Sequence, residues 1–375
     1  TGEVLYRHVA PAEIDSPPTF FCGQLLFGCR DGWVYSLRAA DGQLAWRFRA
    51  APTGRQIVSY GRLQSSWPVI GTVLVLEEED SATAYVAAGR NTYLDGGIYL
   101  YGLDVATGEV RCTQHLANPP QDSEKPYDAH QLKGAQPDVL VFDGTFISMQ
   151  SKVFDRELQE VEKPAAPHVY ASGGLLDDQA WHRNIWQFAP GWTKMNKFAS
   201  TFHNTGQLLV HDRDRTYGVK YFTGKQGQSM VFYPEEGGYH LFCDRDDSTW
   251  DALLSDYLKA KESGGKKQKG STRTTAPRKA TSETSIWSDW IPLRVRAMVK
   301  TRDVLFIAGA PDEVPDDDPL APFEGRGKAL LQALSPETGK QIAQYTLDAP
   351  PVFDGLIAAG GRVFVSLANG AVECW

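Results

Sequence analysis

The densest concentration of side chains able to do chemistry is Asp177-Asp178-Gln-Ala-Trp181-His182-Arg183. It joins carboxylates, an imidazole that titrates near neutrality and a guanidinium whose fork suits carboxylates. A general base at His182 beside an anion-binding Arg183, with Asp178 in reach, would suit a lyase acting on uronic acids. The same run also fits a strand turn in which Trp181 packs and the polar groups only hold the backbone. A second set is Arg62, Gln64 and Trp67, followed by Arg90, Tyr93 and Asp95. Here the arginines could meet an anionic ligand and Trp67 could stack on a sugar ring; a packed Trp67 beside a hydrogen-bonded loop is the other reading. Arg294 and Arg296 alternate along one strand and so share a side. A buried pair of arginines needs anionic partners, which makes Arg296 a further binding candidate. Asp354, in Val352-Phe-Asp-Gly-Leu356, reads as a turn former.

Beyond these sets the sequence carries little catalytic spacing. The remaining histidines form neither HxH nor HExxH, and no P-loop, dinucleotide fingerprint or nucleophile elbow occurs. The five cysteines (Cys22, Cys29, Cys112, Cys243, Cys374) include no CxxC and read as free thiols, so no metal site is expected. Lys plus Arg total 38 against 46 Asp plus Glu, a net charge of −8, which makes a nucleic-acid partner an unfavoured expectation. That charge is uneven. Residues 259–279 hold eight basic residues and one acidic, so the rest of the chain carries −15. Residues 259–283 read as a disordered basic insertion, either simply solvated or a tether to a polyanion. A short helix at Asp251–Ala260 is expected to lead into it. The stretch Pro311–Pro319 carries −5 without the spacing of a calcium loop. No apolar run approaches the roughly 18 residues of a membrane span.

These candidates need elements to hold them, and an internal repeat provides them. Trp33–Phe48, Ile98–Arg111 and Ala329–Tyr345 each alternate apolar and polar residues on both sides of a turn glycine, Gly42, Gly108 and Gly339. This is a β-hairpin pattern. One strand precedes each hairpin, at Leu25–Gly32, Ala84–Arg90 and Val304–Gly309. A further short strand stands upstream, at Thr19–Cys22, Trp67–Ile70 and Val295–Val299. The unit is four antiparallel strands, a propeller blade. A last unit, Phe353–Ile357, Val363–Gly370 and Ala371–Trp375, lacks its outer strand, whereas Gly2–Tyr6 match a turn followed by one. Three weaker units lie around Pro137–Phe154, His168–Phe188 and Gly206–Phe242. The expected fold is therefore all-β. It is one domain over residues 1–375, a seven-bladed propeller closed by its N-terminal outer strand on its C-terminal inner strands, with eight blades as the alternative. Candidate ligand residues would then line the funnel where loops and inner strands converge.

The hairpins resemble the pyrroloquinoline-quinone-like (PQQ-like) repeat, on Trp33–Phe48, Ile98–Arg111, Ala329–Tyr345 and the pair Val372–Trp375 with Gly2–Tyr6. The resemblance implies the propeller fold and leaves activity open. Quinone-dependent members are similar to one another in an adjacent Cys-Cys pair, a planar Trp and a calcium ion held by Glu, Asn and Asp. This chain has no adjacent Cys pair, so neither PQQ nor calcium is expected as a cofactor. The implied role is a non-catalytic binding module of an exported bacterial protein, periplasmic or extracellular, with a polysaccharide or protein ligand. It would work as a monomer or within a longer chain. No charged n-region with an apolar core opens the sequence, so export is an expectation of the resemblance alone. A polysaccharide lyase or hydrolase with its site in the funnel is the alternative, and a quinone-dependent oxidoreductase the second.

Overall fold

A computed structural model describes residues 2–59, 61–118, 134–150, 152–161, 168–171, 175–176, 186–189, 204–221, 239–246, 285–313, 316–321 and 326–375. The described residues contain no helix and are built from antiparallel strands. Asp178, Trp181, His182, Arg183, the helix expected at 251–260 and the basic segment 259–283 lie outside them. Contacts divide the chain into two compact units, Thr1–Ala166 with Gly174–Asp177, and Pro167–Gly173 with Asp178–Trp375.

In the first unit, β1 (Thr19–Phe21), β2 (Gln24–Gly28), β3 (Trp33–Arg38) and β4 (Leu44–Arg49) form a sheet in chain order. A two-stranded hairpin follows, β5 (Gln56–Ser59) with β6 (Arg62–Ser65). The next sheet is β7 (Leu74–Glu77), β8 (Ala82–Ala88), β9 (Ile98–Asp104) and β10 (Val110–Leu116). A shorter one holds β11 (Val141–Phe142), β12 (Ile147–Met149) and β13 (Lys152–Phe154). Apolar side chains of consecutive sheets meet face to face. Leu26 and Val34 pack with Val86 and Leu103, and Tyr85 and Leu100 pack in a cluster with Ile147 and Phe154.

The second unit opens with β14 (His168–Ala171), β15 (Trp186–Ala189) and β16 (Thr205–Gly206). Then come β17 (Leu208–Asp212), β18 (Arg215–Lys220), β19 (Tyr239–Arg245) and β20 (Ser285–Ile291). The last two sheets are β21 (Leu293–Lys300) to β24 (Gln341–Leu347), through β22 (Leu305–Pro311) and β23 (Ala329–Leu334), and β25 (Pro351–Ala359), β26 (Arg362–Leu367) and β27 (Val372–Cys374). First strands of successive sheets are neighbours: β1 lies beside β7, and β21 beside both β17 and β25. Sheets that share a core across their faces and gather their first strands together are packed as propeller blades.

The repeat has a physical cause in its turns. Gly42, Gly108 and Gly339 sit at φ of 71°, 75° and 70°, where a Cβ is disfavoured. Each N–H donates to the carbonyl four residues back, of Arg38, Asp104 and Ser335, at 2.8 Å. A ring then lies on each bare glycine. Trp46 covers Gly108 and donates its indole N–H to the Val105 carbonyl at 2.8 Å. Trp287 covers Gly339 and donates to the Pro336 carbonyl at 2.8 Å. Tyr6 covers Gly42, and its hydroxyl donates to the Ala39 carbonyl at 3.0 Å. Each contact pins one blade's turn to an aromatic from another segment.

Several expectations change. Trp67–Ile70 is not a strand: Pro68 has no N–H, and Val69 donates its own to the Cys29 carbonyl at 3.1 Å, so this stretch ties the first sheet to the second. The first strand of that second sheet is β7. Thr205–Gly206 pair with Trp186–Gln187 rather than opening the next unit. The strand β20, unassigned in the sequence, forms the outer edge of its sheet. Residues 2–10 carry no strand, and the sheet of β25, β26 and β27 is three-stranded.

Candidate functional site

In the first unit the β8–β9 connection builds the most constrained polar cluster. Asn91 Oδ1 accepts from the N–H of Tyr93 at 2.8 Å and of Leu94 at 2.9 Å, turning the chain tightly. Asp95 follows at φ 54° with Gly96 and Gly97 also at positive φ, and this aims its carboxylate inward, to 7% exposure. Arg90 Nε donates to it at 3.0 Å, with a second, closer bond from Nη2. Arg55, from before β5, approaches the other oxygen at 3.2 Å. Trp67 donates its indole N–H to the Asp95 carbonyl at 3.0 Å. Trp67, Arg90 and Asp95 therefore do come together, but as a lock. The Trp67 ring is 6% exposed, packed in the core with Val69. Tyr93 points away, exposed on the surface beside Gly134.

Arg62 and Gln64 belong to a second network. On β6, Gln64 is buried and accepts from Arg30 Nη1 at 2.9 Å. Arg30 also forks onto Asp15, with Nε at 2.8 Å from Oδ2 and Nη2 at 2.7 Å from Oδ1. Burial pushes the Asp15 carboxyl up, and its bond from Arg30 offsets only part of that rise. Arg62 meets Glu13 at 2.7 Å on the exposed side. Charge-assisted forks of this kind fix geometry. Here they fasten residues 13–15 and the β5–β6 hairpin to the first sheet.

In the second unit Arg294 and Arg296 lie on β21 with Val295 buried between them. Arg294 Nε donates to the Tyr239 hydroxyl at 3.0 Å, and Asp312 stands 3.9 Å from its Nη2. The Tyr221 hydroxyl donates to the Val295 carbonyl, and its ring meets Tyr239 edge-on at 4.9 Å. Arg296 occupies a register shift between Val295 and Ala297. Asp354 occupies another, in β25, at φ 51°. Asp354 is exposed to solvent, yet neighbouring atoms crowd its carboxyl and desolvation pushes it up to about 6. Expected in a turn, it lies instead inside β25, where the left-handed backbone makes a bulge.

The sequence reading missed an open cleft in the first unit. It has a volume of about 340 Å³ and is lined by Trp33, Tyr35, Arg47, Arg49 and Arg55 among others. The signal was hairpin register: Trp33 pairs with Arg49 and Tyr35 with Arg47, so all four share one face of β3 and β4.

Cys22 follows β1, Cys29 follows β2, and Cys112, Cys243 and Cys374 sit on three other strands, so no two cysteines are chain neighbours. Among the described residues no group of three or more His, Cys, Asp or Glu could hold a metal ion.

Among the described residues no helix is long and apolar enough to cross a membrane. No family model and no curated protein matches the chain. Among solved structures it is similar to BamB from Moraxella catarrhalis, at 11% identity over 94% of this chain and 79% of that one, TM-score 0.44. It is similar to the quinohemoprotein alcohol dehydrogenase from Comamonas testosteroni, at 13% identity over 93% of this chain and 62% of that one, TM-score 0.44. A computationally designed protein, Ika8, is similar at 10% identity over 98% of this chain and 96% of that one, TM-score 0.37.

Proposed function

We propose that this chain is a PQQ-like repeat propeller working as a non-catalytic binding and interaction module of an exported bacterial protein. One observation carries the reading: among the described residues, the charged candidates Arg62, Arg90 and Asp95 and the groups around them are tied to each other. Asp95 is held by Arg90 and Arg55, Arg30 by Asp15 and Gln64, and Arg62 by Glu13. A general base or anion clamp must keep its working atoms for the substrate, and these groups hold loops instead. The blades form a stiff frame that presents those loops.

The same reading takes the fold as one seven-bladed ring. Seven sheets of three or four strands among the described residues, with the β5–β6 hairpin as an insertion, support that count. Tyr6 supports closure by residues 2–6. It follows Gly2 as Trp46 follows Gly42, and like Trp46 it covers a turn glycine.

The test is an activity screen. The purified protein is incubated with acidic and neutral polysaccharides and followed for unsaturated-uronate absorbance and new reducing ends. A parallel sample receives quinone, calcium, an alcohol and a redox dye. We expect no turnover in either. Unsaturated uronate above the buffer rate would overturn the reading in favour of a lyase, and dye reduction in favour of an oxidoreductase.

A further inference from the structure

The cleft on β3 and β4 is not explained by blade packing. Arg47 and Arg49 alternate with Trp46 and Phe48 along β4, so the aromatics face the next sheet and both guanidiniums face the cleft. Arg47 lies over the Trp33 ring, its Cζ 4.7 Å from the centroid, which holds the fork in place. The segment Thr53–Gln56 forms the opposite wall and adds Arg55. That wall is pinned, because Ser66 donates its N–H to the Arg55 carbonyl at 3.0 Å and Ser65 its N–H to the Arg30 carbonyl at 2.8 Å.

The charge balance is one-sided. Among the described residues neither Arg47 nor Arg49 has an ion-pair partner, and Arg55 shares Asp95 with Arg90. The single acid in the lining, Asp31, is turned onto β3: it accepts from the Trp33 N–H at 3.0 Å and the Tyr35 hydroxyl at 2.5 Å. Two guanidiniums without an ion pair, Arg47 and Arg49, thus face one small cavity, with Arg55 held on Asp95 beside them, in a chain whose net charge is −8. A strongly negative body disfavours a long polyanion, while planar forks match a carboxylate.

We infer that the cleft formed by Trp33, Tyr35, Arg47, Arg49 and Arg55 binds a small carboxylate-bearing ligand, for which an acidic sugar trimer serves as the probe. The inference rests on reading the chain as a binding module and names the ligand of one surface of it.

The test is calorimetric titration of the whole protein with trigalacturonate at low salt. R47Q/R49Q should weaken binding more than tenfold, the scale of losing charge-assisted hydrogen bonds. R38Q removes a charge from the same sheet but outside the cleft, where Arg38 pairs with Asp41, and should stay within about twofold of the parent. Neutral trigalactose should not compete. Unchanged urea midpoints would show that the variants fold. Binding equal in R47Q/R49Q and parent, or no binding by the parent, would overturn the site. So would inorganic phosphate binding as tightly as the trimer, which would mark a free-oxyanion site. The trimer is recovered and weighed by mass spectrometry. Cleavage together with the R47Q/R49Q loss would overturn the non-catalytic reading and support the site.

Discussion

Removing the Trp46 indole should loosen the first two blades of the chain, and the cost can be worked out. A fully buried Trp→Ala change costs about 3–5 kcal/mol. Trp46 is half-buried, which brings the packing loss to about 2 kcal/mol. The lost bond to the Val105 carbonyl adds about 1 kcal/mol. Gly108→Ala attacks the same contact from the other side. Its left-handed backbone, φ 75°, costs about 1–2 kcal/mol with a side chain. Its new Cβ would stand 2.7 Å from the Trp46 ring and evict it, which forfeits most of the contact as well. Once the indole is gone, only the backbone cost of Gly108→Ala remains. The double-mutant cycle should therefore show a coupling of about 2–3 kcal/mol. Urea unfolding followed by far-UV circular dichroism on the parent, both single variants and the double variant measures it. Additivity within about 0.5 kcal/mol would refute the docking account, because it would mean that ring and glycine do not share one contact.

Other perturbations probe other parts. Asp95→Ala strips two arginines of their shared carboxylate and should lower stability by about 2 kcal/mol, less than for a fully buried pair because Arg55 is largely exposed; calorimetric unfolding of the variant checks this. Asp354 has a folded-state pKa of about 6, above its ordinary 3.8, so the fold holds the proton more tightly than the unfolded chain. Its contribution is present below 3.8 and lost as pH rises through 6. Asp354→Asn should therefore melt above the parent at pH 7 and converge with it below pH 4; melting temperatures over that range decide the matter.

Much of the fold was legible because its determinants are local. Each hairpin depends on alternation plus a glycine that tolerates positive φ, and Gly42, Gly108 and Gly339 all behave so. Trp67–Ile70 misled because apolar content alone resembled a strand, while the missing Pro68 N–H and the Val69 bond to Cys29 direct it elsewhere. The strand Ser285–Ile291 follows a long polar stretch and mixes polar with aromatic residues, which hid its start. The site was harder. Arg90, Asp95 and Trp67 do meet, yet the partner that closes the lock, Arg55, comes from before the β5–β6 hairpin. The cleft arginines needed strand register, since Trp33 meets Arg49 only when β3 and β4 are paired in a defined way.

The central claim is binding without turnover. The direct measurement is to saturate the protein with an acidic oligosaccharide, separate the bound fraction by rapid gel filtration, release it and determine its mass and quantity against time. The account predicts a stoichiometric bound fraction, recovered at its original mass however long the incubation. A bound fraction that shortens, gains an unsaturated end or is oxidised with time would contradict it.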